Sequence, residues 1–122
     1  MSVTTERQRR RDRRFRFRDG SATILIPAHR PDEHPIEAAV IDLSVAGISF
    51  ELEPNVPGPE VDTVFGSVTI RVGMCVLEGG IRIKNVVLAG GRRIRVGALF
   101  YPDSGVYENR LMALISGLSV GG

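Results

Sequence analysis

Two stretches of this 122-residue chain carry side chains whose types and spacing could do chemistry. The first is Asp42-Leu43-Ser44-Val45-Ala46-Gly47. If a strand runs through to Ser44, the carboxylate and the hydroxyl share one face, and Leu43 and Val45 take the other. Asp and Ser also fold back readily onto local backbone N–H groups, and Gly admits a positive φ or a close backbone approach. A plain hairpin turn is therefore the competing reading of these six residues. The second stretch is Arg7-Gln8-Arg9-Arg10-Arg11-Asp12-Arg13-Arg14, which has no apolar residue and cannot add to a core. Three readings of it compete: a solvated tail, a nonspecific nucleic-acid arm that neutralises phosphates, and a positioned arginine clamp for a small anionic ligand. The clamp gains weight from the strand into which the arm runs. In Arg14-Phe15-Arg16-Phe17-Arg18 strict alternation predicts a strand with Phe on one face and Arg on the other.

Together the two stretches suit a guanine nucleotide. A guanidinium fork matches the N7 and O6 acceptors of guanine and also the oxygens of a phosphate. A carboxylate accepts from the N1–H and N2–H groups of the opposite edge, a Ser hydroxyl both donates and accepts, and Gly47 would leave room for a base or sugar. The 27 residues between Arg14 and Asp42 make up a strand, a loop and a second strand. An antiparallel pair of that length returns Asp42 to the neighbourhood of Arg14.

The remaining pattern describes the scaffold. Asp19-Gly20-Ser21 predicts a turn or bulge, with Ala22 to Ile26 continuing as strand up to Pro27. His29 to Pro35 reads as a loop. Its two histidines sit near carboxylates, but Pro31 and Pro35 break any helix that would align them on a metal. Ile36 to Leu43 and Gly47 to Glu53 are the next strands, and Pro54 to Pro59 is a loop. Val64 to Val72 predicts a strand that Met74 to Leu77 extends, with a turn at Glu78-Gly79-Gly80. Ile81 to Leu88 and Arg92 to Tyr101 flank Gly90-Gly91, a strong hairpin signal. Leu111, Met112, Leu114, Ile115 and Leu118 recur at helical spacing, with Asp103 or Ser104 as cap and Gly117 at a frayed end. The expectation is an all-β fold of about six strands, closed into a small barrel with one C-terminal helix over an opening.

Composition narrows the function classes. Fourteen Gly and seven Pro imply many turns. With no Trp and few aromatics, the core rests on Val, Ile, Leu and Ala. The single cysteine, Cys75, excludes an internal disulfide and a cysteine-based zinc site, reads as a core hydrophobe, and fits a reducing cytoplasm. No apolar run reaches the roughly 20 residues of a membrane span. The net charge of +2 is uneven: residues 1–20 hold eight Arg against three acids, and the rest of the chain is net negative. This imbalance implies an anionic partner for the arm. A nucleic-acid surface would interleave exposed aromatics with the basic groups, whereas Phe15 and Phe17 are expected to face inward. No catalytic constellation is evident, so the expectation is a binding module rather than an enzyme.

On these residues the chain resembles the PilZ domain family. That family carries an Arg-x-x-x-Arg element before the first strand and an Asp/Asn-x-Ser-x-x-Gly element about one hairpin later. Arg-x-x-x-Arg is met here in four registers. The one ending directly before the first apolar strand residue, Arg10 and Arg14 before Phe15, fits the family pattern. The resemblance implies a six-stranded antiparallel barrel with a C-terminal helix that binds bacterial cyclic di-GMP through Arg10, Arg14, Asp42, Ser44 and Gly47. Arg9 would add a contact of the kind that accompanies a stacked ligand dimer. It also implies a flexible tail over residues 1–8 and a single domain over residues 9–120 that stands alone. No cofactor beyond the ligand is implied. Ligand phosphates would draw the arm over the barrel and change the surface offered to a partner protein. A ligand-independent adaptor with the same fold is the alternative.

Overall fold

A computed structural model describes residues 14–18, 20–28, 32–53, 56, 58–91 and 93–121, with side chains up to Gly117. The strands are β1 (Phe15–Arg16), β2 (Ala22–Ile26), β3 (Ile36–Leu43), β4 (Gly47–Leu52), β5 (Val64–Val72), β6 (Cys75–Leu88) and β7 (Ile94–Pro102), followed by the helix α1 (Gly105–Gly121). All pairings are antiparallel. Six strands close in the order β3-β2-β5-β6-β7-β4 and back to β3, while β1 is an additional short strand on β3. The barrel and its terminal helix are as the sequence predicts.

The core follows from period-two alternation on the inner face. Ile24, Val40, Leu43, Ile48, Phe50, Leu52, Val68, Ile70, Leu77, Ile81, Ile83 and Val96 are fully buried. Each such side chain contributes about 1.5–3 kcal/mol by leaving water. Leu111 and Ile115 of α1 complete this core, and the helix packs on β1, β6 and β7. Ser104 caps it through its carbonyl, which accepts from the Glu108 N–H at 3.0 Å.

Several local expectations are corrected. Only Phe15 and Arg16 of the Arg14–Arg18 stretch pair as strand, although the alternation holds: Phe15 and Phe17 are half-buried, and Arg14, Arg16 and Arg18 are exposed. Six residues then lie between Arg16 and Thr23, while only two lie between their partners Asp42 and Ala39. The turn at Gly20-Ser21 takes up the excess. The β5–β6 hairpin turns at Gly73-Met74, where Gly73 has φ of 59° and Met74 is fully exposed. Met74 to Leu77 does not extend β5, and Gly79-Gly80 is not a turn. Gly79 lies inside β6 because a Cβ there would collide with the Tyr101 carbonyl of β7, so the close approach of a neighbouring strand, and not a turn, selects glycine. The Gly90-Gly91 hairpin is as expected, with φ of 81° and 56°. The helix runs past Gly117 to Gly121, and Met112 is 49% exposed rather than on the packed face.

Candidate functional site

The outer wall of β3, β4, β7 and β6 is where polar side chains converge. Strict alternation along β3 would place Ala38, Val40 and Asp42 on the same inner face. It does not, because the register with β4 slips by one: Val40 lies opposite Phe50, but Asp42 lies opposite Ser49. Ile41 is the extra residue of a β-bulge, and after it Leu43 is fully buried while Asp42 turns outward. A second bulge does the same on β6. Ile83 lies opposite Ala98, but Asn85 lies opposite Gly97, with Lys84 as the extra residue. Asn85 therefore faces out while Ile83 stays in the core. One outward row now crosses five strands: Arg16, Asp42, Ser49, Gly97 and Asn85.

This row borders a concavity of about 490 Å³ lined by Arg14, Asp42, Ser44, Gly47, Ser49, Lys84, Asn85, Arg95 and Gly97 among others. The Arg14 guanidinium donates to the Asp42 carboxylate at 2.9 Å, with side-chain exposures of 57% and 21%. An adjoining concavity of about 420 Å³ is lined by Arg16, Phe17, Glu51, Arg93 and Arg95, and Arg93 pairs with Glu51 at 3.2 Å. A larger one of about 740 Å³ is lined by Ile36, Phe50, Val56 and Phe65 among others. Its described ionisable lining residues are Asp32, Glu33, His34 and Glu37, which suits an anion poorly.

Of the residues singled out in the sequence, Arg14, Asp42, Ser44 and Gly47 come together around the polar concavity. Arg9 and Arg10 lie outside the described residues. Ser44 and Gly47 have local duties. Strand β3 ends at Leu43, so Ser44 does not share a strand face with Asp42. Its buried Oγ accepts from the N–H groups of Gly47 at 3.0 Å and Ala46 at 3.3 Å, and its own N–H donates to the Gly47 carbonyl at 2.8 Å. Gly47 is required by packing: a Cβ there would stand 2.8 Å from the Ala98 carbonyl oxygen of β7. The turn so closed holds Asp42 at the rim.

Sequence reasoning missed Ser49, Asn85 and Arg95. Ser49 is only 6% exposed, yet its Oγ has no hydrogen-bond partner among the described residues, and neither does the buried Nε of Arg95. The local alternation put Ser49 and Arg95 on the outer face, but only strand pairing brings them beside Asp42. No described group of His, Cys, Asp and Glu could hold a metal ion, and no described helix is long and apolar enough to cross a membrane.

No protein-family profile and no curated protein matches this sequence. Solved structures do match its fold. The complex of K. pneumonia MrkH with c-di-GMP superposes with a TM-score of 0.77 at 16% identity, covering 93% of this chain and 54% of that one. Escherichia coli YcgR in complex with c-di-GMP gives 0.73 at 18% identity, covering 93% and 47%. The PilZ domain of E. coli YcgR with c-di-GMP gives 0.71 at 20% identity, covering 93% and 94%. The chain thus spans about half the length of the first two and nearly all of the isolated domain. It has the fold of a PilZ domain.

Proposed function

We propose that this protein is a receptor for cyclic di-GMP, bound on the outer wall of the barrel between the arginine arm and the Asp42–Gly47 turn. The observation that carries the reading is the Arg14–Asp42 pair at the rim of a polar concavity, in a fold whose similar structures hold c-di-GMP. An ion pair this exposed is worth about 0–1 kcal/mol. Each charge-assisted hydrogen bond to a ligand is worth about 1.5–3 kcal/mol. Releasing Arg14 from Asp42 is therefore cheap compared with what either group gains from a dinucleotide. Arg14 engages a phosphate or the N7/O6 edge of guanine, and Asp42 accepts from N1–H and N2–H. Ser44 and Gly47 support the ligand by holding the turn that presents Asp42. Arg10, and Arg9 beside it, take their roles from the sequence pattern.

In this reading the protein is a binding module and not an enzyme, and it works in a bacterial cytoplasm. Ordering arm residues costs about 1–2 kcal/mol each, which several phosphate contacts offset. The arm closed over the barrel then presents a new surface to a partner protein.

Calorimetric titration with cyclic di-GMP tests the proposal. The wild type is expected to bind at low-micromolar or tighter affinity, and Arg14→Ala and Asp42→Ala each to lose about 2 kcal/mol or more. A folded wild-type protein that does not bind would overturn the receptor reading in favour of a ligand-independent adaptor.

A further inference from the structure

The concavity continues from Arg14 and Asp42 onto β4, β7 and β6, and none of the sequence motifs accounts for that second polar face. Ser49 lies between Asp42 of β3 and Gly97 of β7 in the outward row. Arg95 is its diagonal neighbour on β7, opposite Glu51, a separation of about 7–8 Å that a long side chain spans. Asn85 completes the face from β6. Its side-chain amide stands within 2.7 Å of where a Cβ on Gly97 would be, so glycine there leaves space that the amide occupies. Arg95 also borders both the 490 Å³ and the 420 Å³ concavities, the one described residue the two share.

Two of these groups are unsatisfied. A buried hydroxyl and a buried guanidinium N–H left without partners are each costly, and native structures seldom keep them without reason. Both belong to side chains that line the same hollow. Both groups can donate. A guanine presents two adjacent acceptors, N7 and O6, on one edge, whereas adenine replaces O6 with a donor.

We infer that Ser49 and Arg95, flanked by the Asn85 amide, form a second base-recognition face that reads the N7/O6 edge of one guanine of the bound dinucleotide. This rests on the receptor reading above and adds the residues that set its base specificity. Arg95 donates through Nε–H and a terminal N–H, Ser49 donates through its hydroxyl, and the Asn85 amide borders the base plane. Discrimination between guanine and adenine dinucleotides then depends on Arg95 as well as on the arginine arm.

The test compares wild type, Arg95→Met, Arg95→Lys and Ser49→Ala by calorimetry. The probes are cyclic di-GMP, its 7-deazaguanine analogue and cyclic di-AMP, and thermal unfolding verifies that each variant is folded. Arg95→Met is expected to weaken cyclic di-GMP binding by about tenfold or more, and Ser49→Ala by about threefold to tenfold. Arg95→Lys keeps the charge but not the fork, so it is expected to resemble Arg95→Met. The 7-deaza analogue should bind wild type more weakly than cyclic di-GMP does, and this penalty should be smaller in Arg95→Met. Wild-type affinity in Arg95→Lys, or an equal 7-deaza penalty in wild type and Arg95→Met, would overturn the base-reading role while the receptor stands. If Arg14→Ala abolishes binding and Arg95→Met and Ser49→Ala leave it unchanged, the second face is excluded alone. A wild type that binds none of the three probes removes both proposals.

Discussion

Along the β2–β5 seam the register runs unbroken from Ala22 opposite Val72 to Leu25 opposite Thr69, whereas β3–β4, β5–β6 and β6–β7 each slip by one residue. On the unbroken seam alternation alone decides every side chain: Ile24 and Ile70 are buried, and Thr23, Leu25, Thr69 and Arg71 face out. That wall packs the core and shows a mixed outer surface. On two of the slipped seams, β3–β4 and β6–β7, alternation would have driven Asp42 and Asn85 into the core, and a single extra residue in each strand turns them to the outer wall. The lesson is that the polar site is built where the strand pattern is interrupted, and that the interruptions at Ile41 and Lys84 are the devices that build it.

The largest test of that contrast is Leu43→Asp. Unbroken alternation from Val40 would turn residue 43 outward, where a carboxylate is tolerated, whereas the extra residue at Ile41 turns it into the core. An unpaired buried carboxylate costs about 3–5 kcal/mol, a large share of the roughly 5–15 kcal/mol typical of a domain. Cooperative unfolding followed by circular dichroism is expected to be lost or strongly shifted, and a wild-type midpoint would break the argument.

A smaller effect separates two strand glycines. At Gly47 of β4 an added Cβ meets the Ala98 carbonyl oxygen at 2.8 Å, and neither backbone can yield without disturbing β4–β7. Gly47→Ala is expected to destabilise by about 1–3 kcal/mol. At Gly66 of β5 a Cβ would have nothing within 4 Å, so Gly66→Ala is expected to stay within about 0.5 kcal/mol of wild type. Urea unfolding of the pair measures the difference, and equal losses would show that Gly47 is not selected by packing.

The smallest effect belongs to the helix clip, away from both seams. The Tyr107 hydroxyl donates to the Glu78 carboxylate at 2.7 Å, and this bond, with the nearby negative charge, raises the phenol above its ordinary value of 10.0. The protonated phenol is favoured in the folded state. Its stabilisation is therefore present in full below the unfolded value near 10 and is lost as pH rises through the raised folded value. Tyr107→Phe is expected to flatten the alkaline limb of the stability profile and to leave cyclic di-GMP affinity unchanged. An unchanged alkaline limb would mean that the clip contributes nothing.

The sequence by itself determined the barrel and its last helix. Apolar residues at period two mark β2, β4 and β7, Gly90-Gly91 marks a hairpin, and Leu111 and Ile115 mark the buried stripe of α1, because these signals are local and need no partner strand. It also marked Asp42, Ser44 and Gly47 as unusual, and Arg14 as the basic residue at the mouth of the first strand. What it could not reveal was the reason for each residue. Gly47 and Gly79 are set by carbonyls of β7, far off in the chain, and Gly79-Gly80 looked like a turn because no local signal separates a turn glycine from one crowded by a neighbour. Ser49, Asn85 and Arg95 became part of the site only through tertiary structure. Pairing across four strands, with two bulges to set its register, is a non-local choice made by burying Leu43 and Ile83, and it alone decides which polar side chains share a wall.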